Sequence, residues 1–78
     1  MTQPHPFITV QDNDCHWYVI PRDQKADWAA WCEIPEPDYR LPEDEQDFRA
    51  WNPPEYAVMI GFHPSHVVFN LDGTYTLP

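Results

Sequence analysis

Seventy-eight residues suffice for one domain, and a chain this short buries only about 60% of its unfolded surface, so its core must be built from a few large side chains. Four Trp, four Tyr and four Phe supply them, while ten prolines against two glycines predict long but stiff connections. Thirteen acidic residues against four basic ones leave a net charge of −9, a balance that disfavours contact with nucleic acid or membrane phosphates and favours basic surfaces.

No positively charged leader with an apolar core is present, and no apolar run nears the roughly 20 residues of a membrane helix. The expectation is a soluble, intracellular chain whose two cysteines, Cys15 and Cys32, stay as free thiols.

Residues 1–6 carry two prolines and read as an irregular lead-in. Phe7-Ile8-Thr9-Val10-Gln11 alternates and is β-branched at three of five positions, which predicts a strand. Asp12-Asn13-Asp14 reads as a turn, and the apolar run Trp17-Tyr18-Val19-Ile20, closed by Pro21, as a central strand covered on both faces. Strand, turn and strand make a hairpin.

From Arg22 the period changes. Trp28, Trp31 and Cys32 stand at i, i+3 and i+4, with Asp23, Lys25, Asp27 and Glu33 on the opposite side, predicting a helix over residues 22–33 that Pro35 and Pro37 stop. Residues 33–47 then carry seven acids (Glu33, Glu36, Asp38, Glu43, Asp44, Glu45, Asp47) against Arg40, a local net of −6. After Pro42 a short helix over residues 43–51 is expected, with Phe48 and Trp51 facing in. Pro53-Pro54-Glu55 reads as the start of a further short helix over residues 56–60, with a strand over residues 57–60 as the alternative. Residues 66–71 and 74–77 read as strands about an Asp72-Gly73 turn. The predicted class is α+β: a small antiparallel sheet of about four strands in two hairpins, with one main helix and one or two short helices on one face, as a single domain over residues 1–78.

Catalytic constellations are poor. The carboxylates are many but have no apolar wall to raise one pKa, Cys15 and His16 point to opposite faces of a strand, and two glycines cannot build a phosphate-wrapping loop. The chain therefore reads as non-enzymatic and without cofactor. The alternative chemistry is a zinc site from Cys15, Cys32, His63 and His66, although Pro64 inside His63-Pro64-Ser65-His66 prevents the helical presentation that would align both rings. Trp17, Trp28 and Trp31 read as core. Tyr39 and Trp51, set among carboxylates, read as exposed anchors for Arg- and Lys-rich partners.

The segment His16-Trp17-Tyr18-Val19-Ile20-Pro21, followed by a helix anchored at Trp28 and Trp31, resembles a strand-plus-helix phrase of small phage and prophage proteins. A related phrase closes some restriction-endonuclease-like domains, but the chain lacks their carboxylate and lysine set, its one lysine being Lys25 on the helix. In size and charge the chain is similar to anti-CRISPR inhibitors. That resemblance implies a phage-encoded inhibitor, acting in the host cytoplasm as a monomer or homodimer. Its acidic, DNA-mimicking surface would block a host CRISPR effector complex, or another basic protein surface, from binding target DNA. The local net of −6 on the proline-stiffened segment points to Glu36, Asp38, Glu43, Asp44, Glu45 and Asp47 as the partner-binding residues, with Tyr39 and Trp51 as anchors. A solely solubilising role for the acids, in a structural or accessory phage protein, is the remaining reading.

Overall fold

Strand β1 (Phe7–Gln11) turns back at residues 12–16 into β2 (Trp17–Pro21), with Ile8 opposite Ile20 and Val10 opposite Tyr18. These belong to a computed structural model that describes residues 4–78, so the first three positions of the expected lead-in lie outside the described residues. The Asp12 side chain closes the turn: its Oδ1 accepts from the backbone N–H of Asp14 and of His16, each at 2.9 Å. Cys15 takes a φ of 67°, the left-handed conformation that a tight turn demands of one residue even without glycine.

A 3-10 turn (Arg22–Gln24) leads into the main helix α1 (Lys25–Cys32), as the change of period predicts. Trp28, 4% exposed, lies against the Tyr18 ring with centroids 4.9 Å apart and, with Tyr18 and Ile20, forms the core. Ile8, Val10, Trp31, Cys32, Tyr56 and Ala57 pack around it. Val19, facing the other side of the sheet, is only 1% exposed, so β2 is covered on both faces as a central strand should be. Trp28 is thus the tryptophan of the core, whereas Trp17 and Trp31 are half-buried.

Two expected helices are absent. Residues 43–51 form two separate 3-10 turns, Glu43–Glu45 and Arg49–Trp51, parted by extended backbone at Gln46 (φ −80°, ψ 141°). A continuous helix would set Glu43 against Asp47 as like charges at i, i+4, while Gln46 Nε2 instead donates back to the Leu41 carbonyl at 2.9 Å. Residues 56–60, read above as a helix with a strand as the alternative, belong instead to a tight turn and strand β3 (Val58–Gly61). Pro54 accepts from the Ala57 N–H at 3.0 Å, ending the proline segment in a turn, and β3 pairs antiparallel with β2 across a bulge at Trp17/Tyr18. Gly61 ends β3 at a φ of +99°, which suits glycine. The sheet order is β1-β2-β3.

The last two strands are shorter than the pattern predicts. They are β4 (Val68–Phe69) and β5 (Tyr75–Thr76), which form their own two-stranded sheet. This hairpin is fastened to the residues before β1. His5 Nε2 lies 3.0 Å from the Asn70 carbonyl and 3.1 Å from that of Thr74, its ring meets Phe69, and Phe7 meets Tyr75 edge-on at 4.8 Å. Because Nδ1 accepts from the Phe7 N–H, the ring carries its proton on Nε2, which donates to the two carbonyls. The resulting body measures 51 × 24 × 16 Å with a radius of gyration of 15.0 Å. A compact domain of this length would have about 11.5 Å.

Candidate functional site

The acidic segment leaves the C-terminal end of α1 and returns to it. Trp31 Nε1 donates to the Arg49 carbonyl at 2.8 Å, which pins the Arg49–Trp51 turn to the helix. Between these points Pro37 is buried, while Glu36, Tyr39, Leu41 and residues 43–45 face solvent.

The eight expected contact residues divide into three groups. Asp38 and Asp47 are neutralised within the chain: Arg40 grips Asp38 with two bonds of 3.0 Å, and Arg49 Nη2 reaches Asp47 Oδ2 at 2.6 Å. The bonds from Arg49 hold the Asp47 carboxyl down at about 2, and those from Arg40 hold Asp38 below the usual range. Glu36, Glu43, Asp44 and Glu45 are exposed, and no ion pair among the described residues reaches them. Tyr39 is 73% exposed and Trp51 47%, with ring centroids 5.9 Å apart, so the two anchors form one aromatic step, with Phe48 behind Trp51 at 5.5 Å. Residues 36–51 thus carry four unpaired carboxylates and two exposed rings on one proline-containing connection.

Cys15, Cys32, His63 and His66 are not brought together as a ligand set. The one group of three or more His, Cys, Asp or Glu among the described residues whose ligand atoms lie within 4.8 Å of one another is Asp12, Asp14 and His16. Its chemistry is already largely spent on the turn: besides the two N–H groups on Oδ1, Asp12 Oδ2 meets His16 Nδ1 at 3.2 Å. Both cysteines are free thiols, and burial, followed by the charge of Asp12, raises the pKa of Cys32.

The sequence reading missed what this turn does next. Asn13 Nδ2 donates to the Cys32 carbonyl at 2.7 Å, docking the turn on the end of α1. Turn, helix end and the Arg49–Trp51 segment thereby enclose a groove, lined along one stretch by Tyr18, Trp31, Trp51, Pro53 and Met59 and at its narrow end by Cys32, Ile34 and Glu36, with Asp12 and Asp14 bordering both. Asp27 is likewise more than a solvated helix residue, because its carboxylate accepts a hydrogen bond from the Tyr56 hydroxyl. With this geometry in hand, comparison with known proteins finds no matching family model, no matching curated protein and no matching solved structure.

Proposed function

We propose that this chain is a non-enzymatic, phage-encoded inhibitor that occupies the basic, DNA-contacting surface of a host nucleoprotein complex, with a CRISPR effector as the partner its resemblance implies. The observation that supports the reading is the set of four unpaired carboxylates, Glu36, Glu43, Asp44 and Glu45, exposed on the same proline-containing connection as the rings of Tyr39 and Trp51. Carboxylates kept this close repel one another, and the two arginines nearby are committed to Asp38 and Asp47, so the residual negative charge is available to a partner. A basic groove built to hold phosphates would accept such a surface in place of DNA, with the rings adding cation–π contact to its arginines and lysines. Asp38 and Asp47 then serve to shape the segment and contribute little to the contact.

The test is competition for target DNA. Purified chain added to a CRISPR effector complex lowers its occupancy of a labelled target duplex. The triple charge reversal E43K/D44K/E45K restores occupancy, whereas D38N leaves inhibition close to that of the unaltered chain. Inhibition that survives the triple reversal overturns the proposal.

A further inference from the structure

We infer that the groove between the β1–β2 turn and the end of α1 is a receptor for a single arginine side chain of a basic protein partner. The inference rests on the reading above that the partner is basic, and it names the side chain and the place it enters.

The groove has a wider, more apolar part and a narrower, more polar one. The open part has a volume of about 300 Å³ and is walled by Tyr18, Trp31, Trp51, Pro53 and Met59 with Asp12, Asp14 and His16 at its border, and Trp51 and Met59 are 47% and 54% exposed to it and to solvent. The closed part, about 50 Å³, is bordered by Asp12, Asp14 and Glu36 beside Cys32 and Ile34. Asp12, Asp14, Trp31 and Trp51 line both, so the two are continuous. A cavity of 50 Å³ is far below the roughly 300–1,000 Å³ of a pocket for a whole cofactor or drug-sized ligand, and suits the end of one side chain.

A trough that sets aromatic walls beside carboxylates, with Glu36 added at its narrow end, complements a long aliphatic stem that ends in a cation. Arginine fits better than lysine because its planar guanidinium can lie on an indole face and still donate to two carboxylates. The carboxylates open to a guest are those of Asp14 and Glu36, which no ion pair among the described residues reaches, whereas Asp12 is held by two backbone N–H groups and by His16 Nδ1 and adds its field from behind them. That charge is felt on both walls. After burial, the charge of Asp12 is what raises the pKa of the Tyr18 phenol; Asp14 adds to that effect, and the Cys32 thiol responds in the same way.

The walls are also set in advance. The bond from Asn13 to the Cys32 carbonyl joins turn to helix, and the bond from Trp31 to the Arg49 carbonyl joins helix to the Trp51 segment, so a guest need not order them.

The experiment is an NMR titration of the ¹⁵N-labelled chain with the capped tripeptide acetyl-Gly-Arg-Gly-amide, alongside the same peptide with lysine or with citrulline, the uncharged shape-mimic of arginine. The Arg peptide moves the Trp31 and Trp51 indole N–H signals and the Asp14 amide saturably, the Lys peptide binds about fivefold more weakly, and citrulline gives no saturable shift. Trp51→Leu and Asp14→Asn each weaken the Arg peptide about fivefold with an unchanged pattern elsewhere in the spectrum.

Equal binding of the Arg and citrulline peptides overturns the inference. So do shifts confined to residues 43–47 that Trp51→Leu does not alter, a result that leaves the acidic segment as the contact surface. Displacement of the peptide from Asp12 and Asp14 by micromolar Ca²⁺ or Zn²⁺ overturns it in favour of a metal. Conversely, groove shifts that persist while E43K/D44K/E45K leaves inhibition intact overturn the proposed function and leave the arginine receptor standing.

Discussion

Ile20, on β2, has no exposed surface and packs with Tyr18 and Trp28 in a core so small that each member carries a large share of it. Truncating such a side chain costs about 2–5 kcal/mol, and a domain of this length is stable by only about 4–12 kcal/mol. Ile20→Ala should therefore lower the urea midpoint sharply, whereas Leu71→Ser, at a side chain fully open to water, should leave it nearly unchanged. The tyrosines give a second residue-scale test. Burial first, then the bond to Asp27, pushes Tyr56 up to about 12 from 10.0, and burial together with Asp12 raises Tyr18. A phenol with a raised folded pKa binds its proton more tightly in the native chain. Its contribution to stability is therefore complete below about pH 10 and lost as pH rises toward 12. Absorbance of tyrosinate at alkaline pH should show a group titrating near 12, and Asp27→Asn should lower that value only part of the way, because burial is the larger cause.

At the scale of elements, the clearest prediction concerns the second hairpin. Two strands of two residues each cannot hold themselves together in water, and His5 supplies the clasp at Asn70, Thr74 and Phe69. His5→Ala should speed hydrogen exchange at the Asn70 amide, which donates to the Thr74 carbonyl at 2.8 Å, while amides of β1, β2 and β3 keep their protection. The first hairpin and α1 were legible in the sequence because their signals are local: β-branched alternation, an Asp-Asn-Asp turn, then tryptophans at helical spacing. Strand β3 was not, since an apolar run of four residues satisfies either period and its partner, β2, lies some 40 positions away. The double proline that looked like a helix start makes a turn instead. The segment 43–51 failed for a different reason: the local bonds from Gln46 to the Leu41 carbonyl and from Arg49 to Asp47, two residues apart, favour tight turns that helix propensity does not foresee. Charge alone pointed to the acidic array and its two exposed rings. The groove required Asn13, Trp31 and Trp51 to meet, which no local pattern encodes.

For the whole molecule, the proposed function requires that charge govern the approach of a partner and that the rings govern the stay. A net charge of −9 on a small body should make association with a basic surface fall steeply between low salt and physiological salt, where screening acts over about 8 Å. Binding measured across that range should show E43K/D44K/E45K flattening the salt dependence, while Trp51→Leu slows nothing on approach and shortens the lifetime of the complex. A salt-independent affinity would assign the acids to solubility alone.

The body's length, more than twice its next dimension, reaches beyond recognition. A particle so asymmetric drags more solvent than a sphere of equal mass, and it tumbles faster about its long axis than end over end. On a sizing column a single copy should run ahead of globular standards of 9.3 kDa and pass for a dimer. Scattered light, which weighs the particle without reference to its friction, is therefore the measurement that should decide how many copies meet a partner.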